Sequence, residues 1–160
     1  MIRRLLVGAA AGAAGTTALH AATYLDMTLR GRPASSTPER TVEAMLASTG
    51  IQIPGEGTER LNRLTGLAAL SGIATGVAVG VGYGILDLLR LRPPGVGGAL
   101  VAGGGAMVLS NSAMARYGIT HPTAWSVEDW VSDLVPHLVY GVVLSAAYAA
   151  ARRPVPGLHD

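Results

Sequence analysis

The sequence contains no cysteine, which excludes disulfide bonds, thiolate metal sites and thiol nucleophiles. It also contains no lysine, so every basic side chain is an arginine, a bias that we attribute to codon composition rather than to function. Charged residues make up only 14% of the chain, whereas soluble proteins carry about 25%. A chain this poor in charge has too little polar surface for an ordinary soluble domain.

Sequence motifs that would indicate an activity are also missing. There is no nucleophile elbow, no phosphate-binding loop and no pair of carboxylates placed for acid–base catalysis. The glycine run at residues 103–105 lies inside an apolar stretch and follows no strand, so it is not a phosphate loop. The net charge of +2 is too small to indicate a nucleic-acid partner. We therefore expect neither an enzyme nor a nucleic-acid-binding protein.

The chain is rich in apolar residues and glycine. Hydrophobic residues make up 49% of it and glycine occurs 22 times, and glycine is commoner in membrane helices than in soluble ones. A helix needs about 20 mostly apolar residues to cross a bilayer. Four stretches reach that length, at about residues 5–25, 64–89, 95–115 and 131–151. We predict an all-α fold, a single transmembrane domain over residues 1–160 in which four helices form an integral membrane bundle.

The first apolar stretch has a second interpretation. Residues 1–4 carry two arginines ahead of an apolar run, as in a signal peptide, and residues 18–22 would then supply the cleavage region. The run is long for a signal peptide, and His20 and Tyr24 are unusual in one, so we favour a membrane span. Arginines divide equally between the two sides of the membrane, but Arg3 and Arg4 closely flank the first span. The positive-inside rule then places both termini in the cytoplasm.

The first loop, residues 26–63, carries a helix signal of its own. Thr37 is suited to cap this helix, with Pro38 at its first position, and Gly50 can end it. Four residues between them follow the i, i+3, i+4, i+7 spacing of one helix face: Val42, Met45, Leu46 and Thr49. We expect a short amphipathic helix, lying either on the membrane or bundle mouth, or on the solvent side as a cap. A second helix start is predicted at Ser126, with acids in its first turn.

Glycines four residues apart predict how the helices pack. Positions four apart share a helix face, and in a bilayer close packing rather than hydrophobicity drives helix association. The second span carries the helix-packing row Gly72, Gly76, Gly80 and Gly84, and small residues recur at Gly8 and Gly12 in the first span and at Gly141 in the fourth. A pore lined by bare backbone is the alternative, but the apolar neighbours and the lack of a charged ring argue against it.

Polar residues inside the spans form a candidate intramembrane site. Counting along spans of alternating direction puts His20, Asn111 and His137 at one depth, roughly 8–10 Å below the helix ends, with Asp133 one turn before His137. Three interpretations stay open: a structural hydrogen-bond network, a haem or metal held by the two histidines, or a proton or small-solute pathway. Two histidines are fewer ligands than zinc usually takes. We assign no cofactor, and a metal role is unknown.

The second half of the chain resembles the YagU-like bacterial inner-membrane proteins. The resemblance rests on the glycine-rich pair of segments at residues 82–84 and 97–103, the loop at residues 117–122, and the run from Asp133 through His137 to Gly141. The shorter first loop and the scarcity of aromatic residues depart from that family. Its function is unknown, so the resemblance implies a bacterial inner-membrane location and a fold but no reaction.

The sequence therefore predicts a small polytopic membrane protein without an enzymatic activity. Its surroundings are the lipid bilayer, and a structural, assembly or accessory role would give it a membrane-protein partner or a second copy of itself. The alternative is a small-solute or proton transporter, or a subunit carrying haem or a metal, that uses the polar residues His20, Asn111, Asp133 and His137.

Overall fold

A computed structural model describes residues 1–153, and this part of the chain is helical. Its helices are α1 (Ile2–Arg30), α2 (Thr37–Ser48), α3 (Gly57–Leu88), α4 (Gly95–Arg116) and α5 (Val127–Ala151), with a short 3-10 turn at Pro122–Ala124. Four of them, α1, α3, α4 and α5, are long and apolar enough to cross a membrane. The predicted fold class, an all-α bundle of four long helices with a short helix in the first loop, is confirmed.

The four long helices form a ring in which α1 packs against α3 and α5, and α5 also packs against α4. A lighter contact between α3 and α4 closes the ring. Gly8 of α1 lies against Gly80 of α3, whereas Gly12 lies against Gly76, so these two helices run in opposite directions. One end of the bundle, called here the termini end, carries the start of α1, the end of α5 and the α3–α4 turn. The other, the loop end, carries α2 and the α4–α5 loop.

The core of the bundle is built largely from tyrosine. Tyr83, Tyr140 and Tyr148 are all at most 2% exposed, as is Leu144. The rings of Tyr83 and Tyr148 meet edge to face with centroids 5.3 Å apart, an arrangement that aromatic pairs prefer. The Tyr140 hydroxyl donates a 2.6 Å hydrogen bond to the Gly76 carbonyl. The hydroxyls of Tyr83 and Tyr148 form hydrogen bonds with Ser145 and Asp87. Each buried tyrosine thus fills space between helices with its ring and has a hydrogen-bond partner for its hydroxyl.

Helix α3 is longer than a bilayer requires, and this excess supports α2. Its 32 residues extend about 48 Å, whereas a hydrocarbon core is about 30 Å thick. The first turns of α3 are charged, and Arg60 pairs with Glu43 of α2 at 2.5 Å. Val42, on the predicted apolar face of α2, is 5% exposed. Helix α2 is therefore docked at the loop end, against α3 and α4.

The two predicted helix starts have different outcomes. At α5, the Ser126 hydroxyl accepts from the Asp129 amide at 3.1 Å and the Asp129 carboxylate accepts from the Ser126 amide at 2.9 Å, so the predicted start is confirmed as a reciprocal cap. At α2, the N-cap is Ser36 rather than Thr37. The Thr37 amide instead donates to the Ser35 hydroxyl at 3.2 Å, which lets the helix begin one residue earlier than predicted.

Candidate functional site

Three of the four glycines in the predicted packing row lie against α1. Gly76, Gly80 and Gly84 are buried, and a Cβ atom added at Gly80 would lie 2.7 Å from the Cα atom of Gly12. Gly72 is exposed, and a Cβ atom there would meet nothing within 4 Å. Residues four apart drift roughly 40° around a helix of 3.6 residues per turn. A row of four therefore turns too far for its first member to remain on the contact face.

A second close contact joins α4 to α5 through glycine. A Cβ atom on Gly103 would lie 2.5 Å from the His137 carbonyl oxygen, and one on Gly141 would lie 2.9 Å from the Cα atom of Gly103. The sequence pattern singled out Gly141 but not its partner on α4. We call these contacts the α4–α5 seam, and those of Gly8 and Gly12 with α3 the α1–α3 seam.

The candidate polar site lies beside the α4–α5 seam. The Nδ1 atom of His137 lies 2.7 Å from the Asp133 carbonyl oxygen and 3.4 Å from its carboxylate. The other ring nitrogen lies 3.4 Å from the Ser110 hydroxyl. The Asn111 side-chain amide donates to the Asp133 carboxylate at 2.8 Å. The structure therefore brings three of the four predicted residues together and adds Ser110, which sequence reasoning missed although it neighbours Asn111.

His20 does not take part in this cluster. It is half-buried in α1, and its ring centroid lies 6.0 Å from that of Tyr24. Among the hydrogen bonds of residues 1–153, none joins His20 to Asn111, Asp133 or His137. Counting residues gives a depth along a helix but not the direction in which a side chain leaves it, so equal depth did not ensure contact.

The chemistry available to the cluster follows from its groups. It combines a carboxylate, an imidazole, an amide and a hydroxyl, which can hold a proton or bind a small polar solute. The side chains of Asp133 and His137 are 23% and 12% exposed. The Asn111 carbonyl oxygen Oδ1 is buried without a hydrogen-bond partner among the described residues. Across residues 1–153, no three histidine, cysteine or acidic side chains come together to hold a metal ion.

A second polar cluster, unforeseen from the sequence, occupies the termini end. Its centre is Asp87, whose carboxylate lies 3.3 Å from Arg4, 3.1 Å from Arg92 and 3.4 Å from Arg152. The Tyr148 hydroxyl donates to the same carboxylate at 3.1 Å. Three separate parts of the chain, the start of α1, the α3–α4 turn with the end of α3, and the end of α5, thus meet at one acid. The only sequence signal was the shared membrane side of these residues, given by the alternation of the spans.

Arg92 is the most firmly held of the three arginines. Its guanidinium carbon lies 5.8 Å from the ring centroid of Tyr83 and 5.6 Å from that of Tyr148, within the range of cation–π attraction. The Tyr83 side chain, followed by the hydrogen-bonded Asp87 carboxylate, raises the pKa of the Arg92 guanidinium above its ordinary value. Arg92 is therefore a permanent positive charge against the tyrosine core.

Comparison with known proteins does not assign this chain to a family. No protein-family model, curated protein or solved structure matches the chain. The resemblance to YagU-like proteins stays a prediction.

Proposed function

We propose that this chain is a non-enzymatic structural, assembly or accessory component of the bacterial inner membrane. The observation that carries the proposal is the mutual bonding of the intramembrane polar groups. Asp133 accepts from Asn111, and His137 lies between Asp133 and Ser110. Polar groups are costly in hydrocarbon unless they are paired. A network whose members bond one another across two helices is suited to fixing those helices in register.

The glycine contacts support the same proposal. We propose that the α1–α3 and α4–α5 seams act as glycine zippers, because a Cβ atom at Gly12 would lie 2.5 Å from the Gly76 carbonyl oxygen. Lipid chains are as apolar as leucine, so such close backbone approach is an important source of attraction between helices. In both seams, these small residues face a neighbouring helix inside the bundle. The outward faces, with residues such as Leu70 and Val108 more than 60% exposed, are left for lipid, a membrane-protein partner or a second copy.

Both termini are proposed to lie in the cytoplasm. Arg3 and Arg4 flank the first helix, which often sets orientation. Reporter fusions at residues 1 and 153 are therefore expected to report the cytoplasm at both ends. Opposite compartments would contradict the four-span topology, whereas two periplasmic ends would contradict only the orientation. The intact mass of the purified protein would reveal cleavage near Ala22, the alternative in which the first stretch is a signal peptide.

Conduction of a proton or small solute is the second candidate function. It is favoured by one observation, the buried Asn111 Oδ1 atom that has no partner among the described residues. The same side chain donates to Asp133 through its Nδ2 atom, and Asn111, Asp133 and His137 are all polar enough to attract a passing solute. A transporter of this kind would use the same residues as the structural network, so the two proposals must be separated by measurement.

Reconstitution into liposomes separates these functions. Purified protein should give a proton flux, read with an enclosed pH-sensitive dye, equal to that of empty liposomes, and its absorption spectrum should contain no Soret band. A flux that is lost in Asp133→Asn and kept in Thr17→Ala would establish the transporter instead. Thr17 is the control because, within residues 1–153, its hydroxyl donates only to the Ala13 carbonyl of its own helix, at 3.1 Å. A Soret band would establish a haem-carrying subunit.

A further inference from the structure

The two ends of the bundle differ in how their arginines are neutralised. At the loop end, Asp26 pairs with both Arg30 and Arg32, and further acids lie close by. At the termini end, Asp87 is the only acidic residue among the described residues. Six arginines lie at the same end: Arg3, Arg4, Arg90, Arg92, Arg152 and Arg153. Among residues 1–153, the termini end therefore carries more arginines than its single acid can neutralise.

The three arginines around Asp87 remain partly exposed to the surroundings of the bundle. Each guanidinium has five N–H donors, whereas one carboxylate has about four lone-pair sites for all of them. The side chains of Arg4, Arg92 and Arg152 are 34%, 25% and 31% exposed. Asp87 is only 14% exposed, and it holds the three forks in fixed positions. Guanidinium forks in a fixed arrangement match the oxygens of a phosphate group.

The backbone at Arg90 supplies an independent observation. Arg90 has φ 60°, and it is the only non-glycine residue with positive φ in the described part of the chain. It follows Leu89 at the end of α3, the position where helices commonly use glycine because a side chain is strained in the left-handed region. An arginine here opposes the local backbone preference. Arg90 is exposed and adds its charge to the termini end.

The surroundings of this charge are apolar on the outside of the bundle. Ile2, Leu6, Leu89 and Leu91 are each more than 55% exposed, and they adjoin the arginines in sequence. Exposed apolar side chains beside cations are suited to acyl chains, with the cations at headgroup height. A free anion would gain nothing from these leucines, whereas a phospholipid would use both features.

We propose that the arginine cluster at the termini end binds the phosphate group of an anionic phospholipid. Arg4, Arg92 and Arg152 form the fixed centre of this site, and Arg90 and Arg153 extend it at the surface. Basic residues close to an anionic leaflet attract its lipids additively. The proposal goes beyond a structural role, because a bundle that merely supports other proteins requires no particular headgroup.

Thermal unfolding in a neutral detergent tests the site. Added phosphatidylglycerol is expected to raise the unfolding midpoint, and phosphatidylcholine is expected to leave it unchanged. Arg90→Gln combined with Arg153→Gln should raise the phosphatidylglycerol concentration needed for half the shift by about tenfold or more. Arg40→Gln combined with Arg116→Gln removes the same charge from exposed positions at the loop end and should leave that concentration unchanged.

Asp87→Asn provides a test in the opposite direction. Without the Asp87 carboxylate, the protein should unfold at a lower temperature in detergent alone. Phosphatidylglycerol should then raise the unfolding midpoint by more than it does in the unsubstituted protein, because three cations lack an internal partner. A purely structural cluster would lose stability with no larger lipid response, and that result would overturn the proposal. Equal effects of both lipids, or of both arginine pairs, would also overturn it. If inorganic phosphate alone raised the unfolding midpoint by the same amount, the site would bind a free anion and the lipid proposal would be wrong.

Discussion

Substituting Gly80 with alanine is the sharpest test of how this bundle holds together. A Cβ atom at this position would lie 2.7 Å from the Gly12 Cα atom and 2.8 Å from the Gly12 amide nitrogen. Both atoms belong to the backbone, so neither can move aside as the end of a flexible side chain would. Relief requires α1 and α3 to separate along the α1–α3 seam, and the neighbouring contact at Gly76 would be lost with it.

The size of the effect follows from two opposing terms. Alanine is favoured over glycine in a helix by about 1 kcal/mol, and overpacking costs about 1–3 kcal/mol. Gly72→Ala is the matched control, because a Cβ atom there meets nothing within 4 Å and only the favourable term applies. We expect Gly80→Ala to be less stable than Gly72→Ala by about 3 kcal/mol at the upper end of that range.

Thermal unfolding of the two variants in the same detergent measures this difference. At about 2–4 °C per kcal/mol for a chain of this size, the midpoint of Gly80→Ala should lie roughly 6–12 °C below that of Gly72→Ala. Gly80→Leu should be more damaging than alanine. Equal midpoints for the two alanine variants would refute the argument, because they would mean that the α1–α3 seam contributes nothing to the free energy of unfolding.

Three further contacts are tested by substitution. Tyr140→Phe removes the donor to the Gly76 carbonyl and should lower the free energy of unfolding by about 1 kcal/mol. Tyr24 is 61% exposed, so Tyr24→Phe should leave that free energy unchanged. Equal free energies of unfolding for the two variants would show that the Tyr140 hydrogen bond does not stabilise the bundle. Ser126→Ala should cost about 1 kcal/mol and accelerate amide hydrogen exchange in the first turn of α5, and unchanged exchange would contradict the cap. His137→Gln should retain the fold because an amide can replace the imidazole hydrogen bonds, whereas His137→Leu should lose about 1–3 kcal/mol; identical melting of the two would contradict a structural network.

The fold could be predicted from sequence because a bilayer constrains helix length so strongly. The third span was predicted at residues 95–115, and α4 runs from Gly95 to Arg116. The second apolar span was predicted from residue 64, and α3 itself starts seven residues earlier, at Gly57. Those first turns are charged and lie beyond the apolar stretch, so hydrophobicity could not reveal them.

The candidate sites were harder to predict, because contact depends on rotation about each helix as well as on depth. Asp133 and His137 share a face by their spacing of four, and the structure retains that pairing. His20 has the same depth but does not join them. The Asp87 cluster required knowledge of which helices are neighbours in the ring, and nothing in the local sequence around Asp87 contains that information.

The Asp87 cluster also has a consequence for the order in which the protein is made. Arg4 leaves the ribosome before Asp87 and Arg152 leaves it after Asp87, yet both contact the same carboxylate. The Tyr148 hydroxyl that completes this contact also belongs to the last helix. A chain interrupted after α4 would hold Asp87 without two of its partners and Tyr83 without the ring that covers it. The Asp87 cluster can therefore be completed only after α5 has joined α1 and α3.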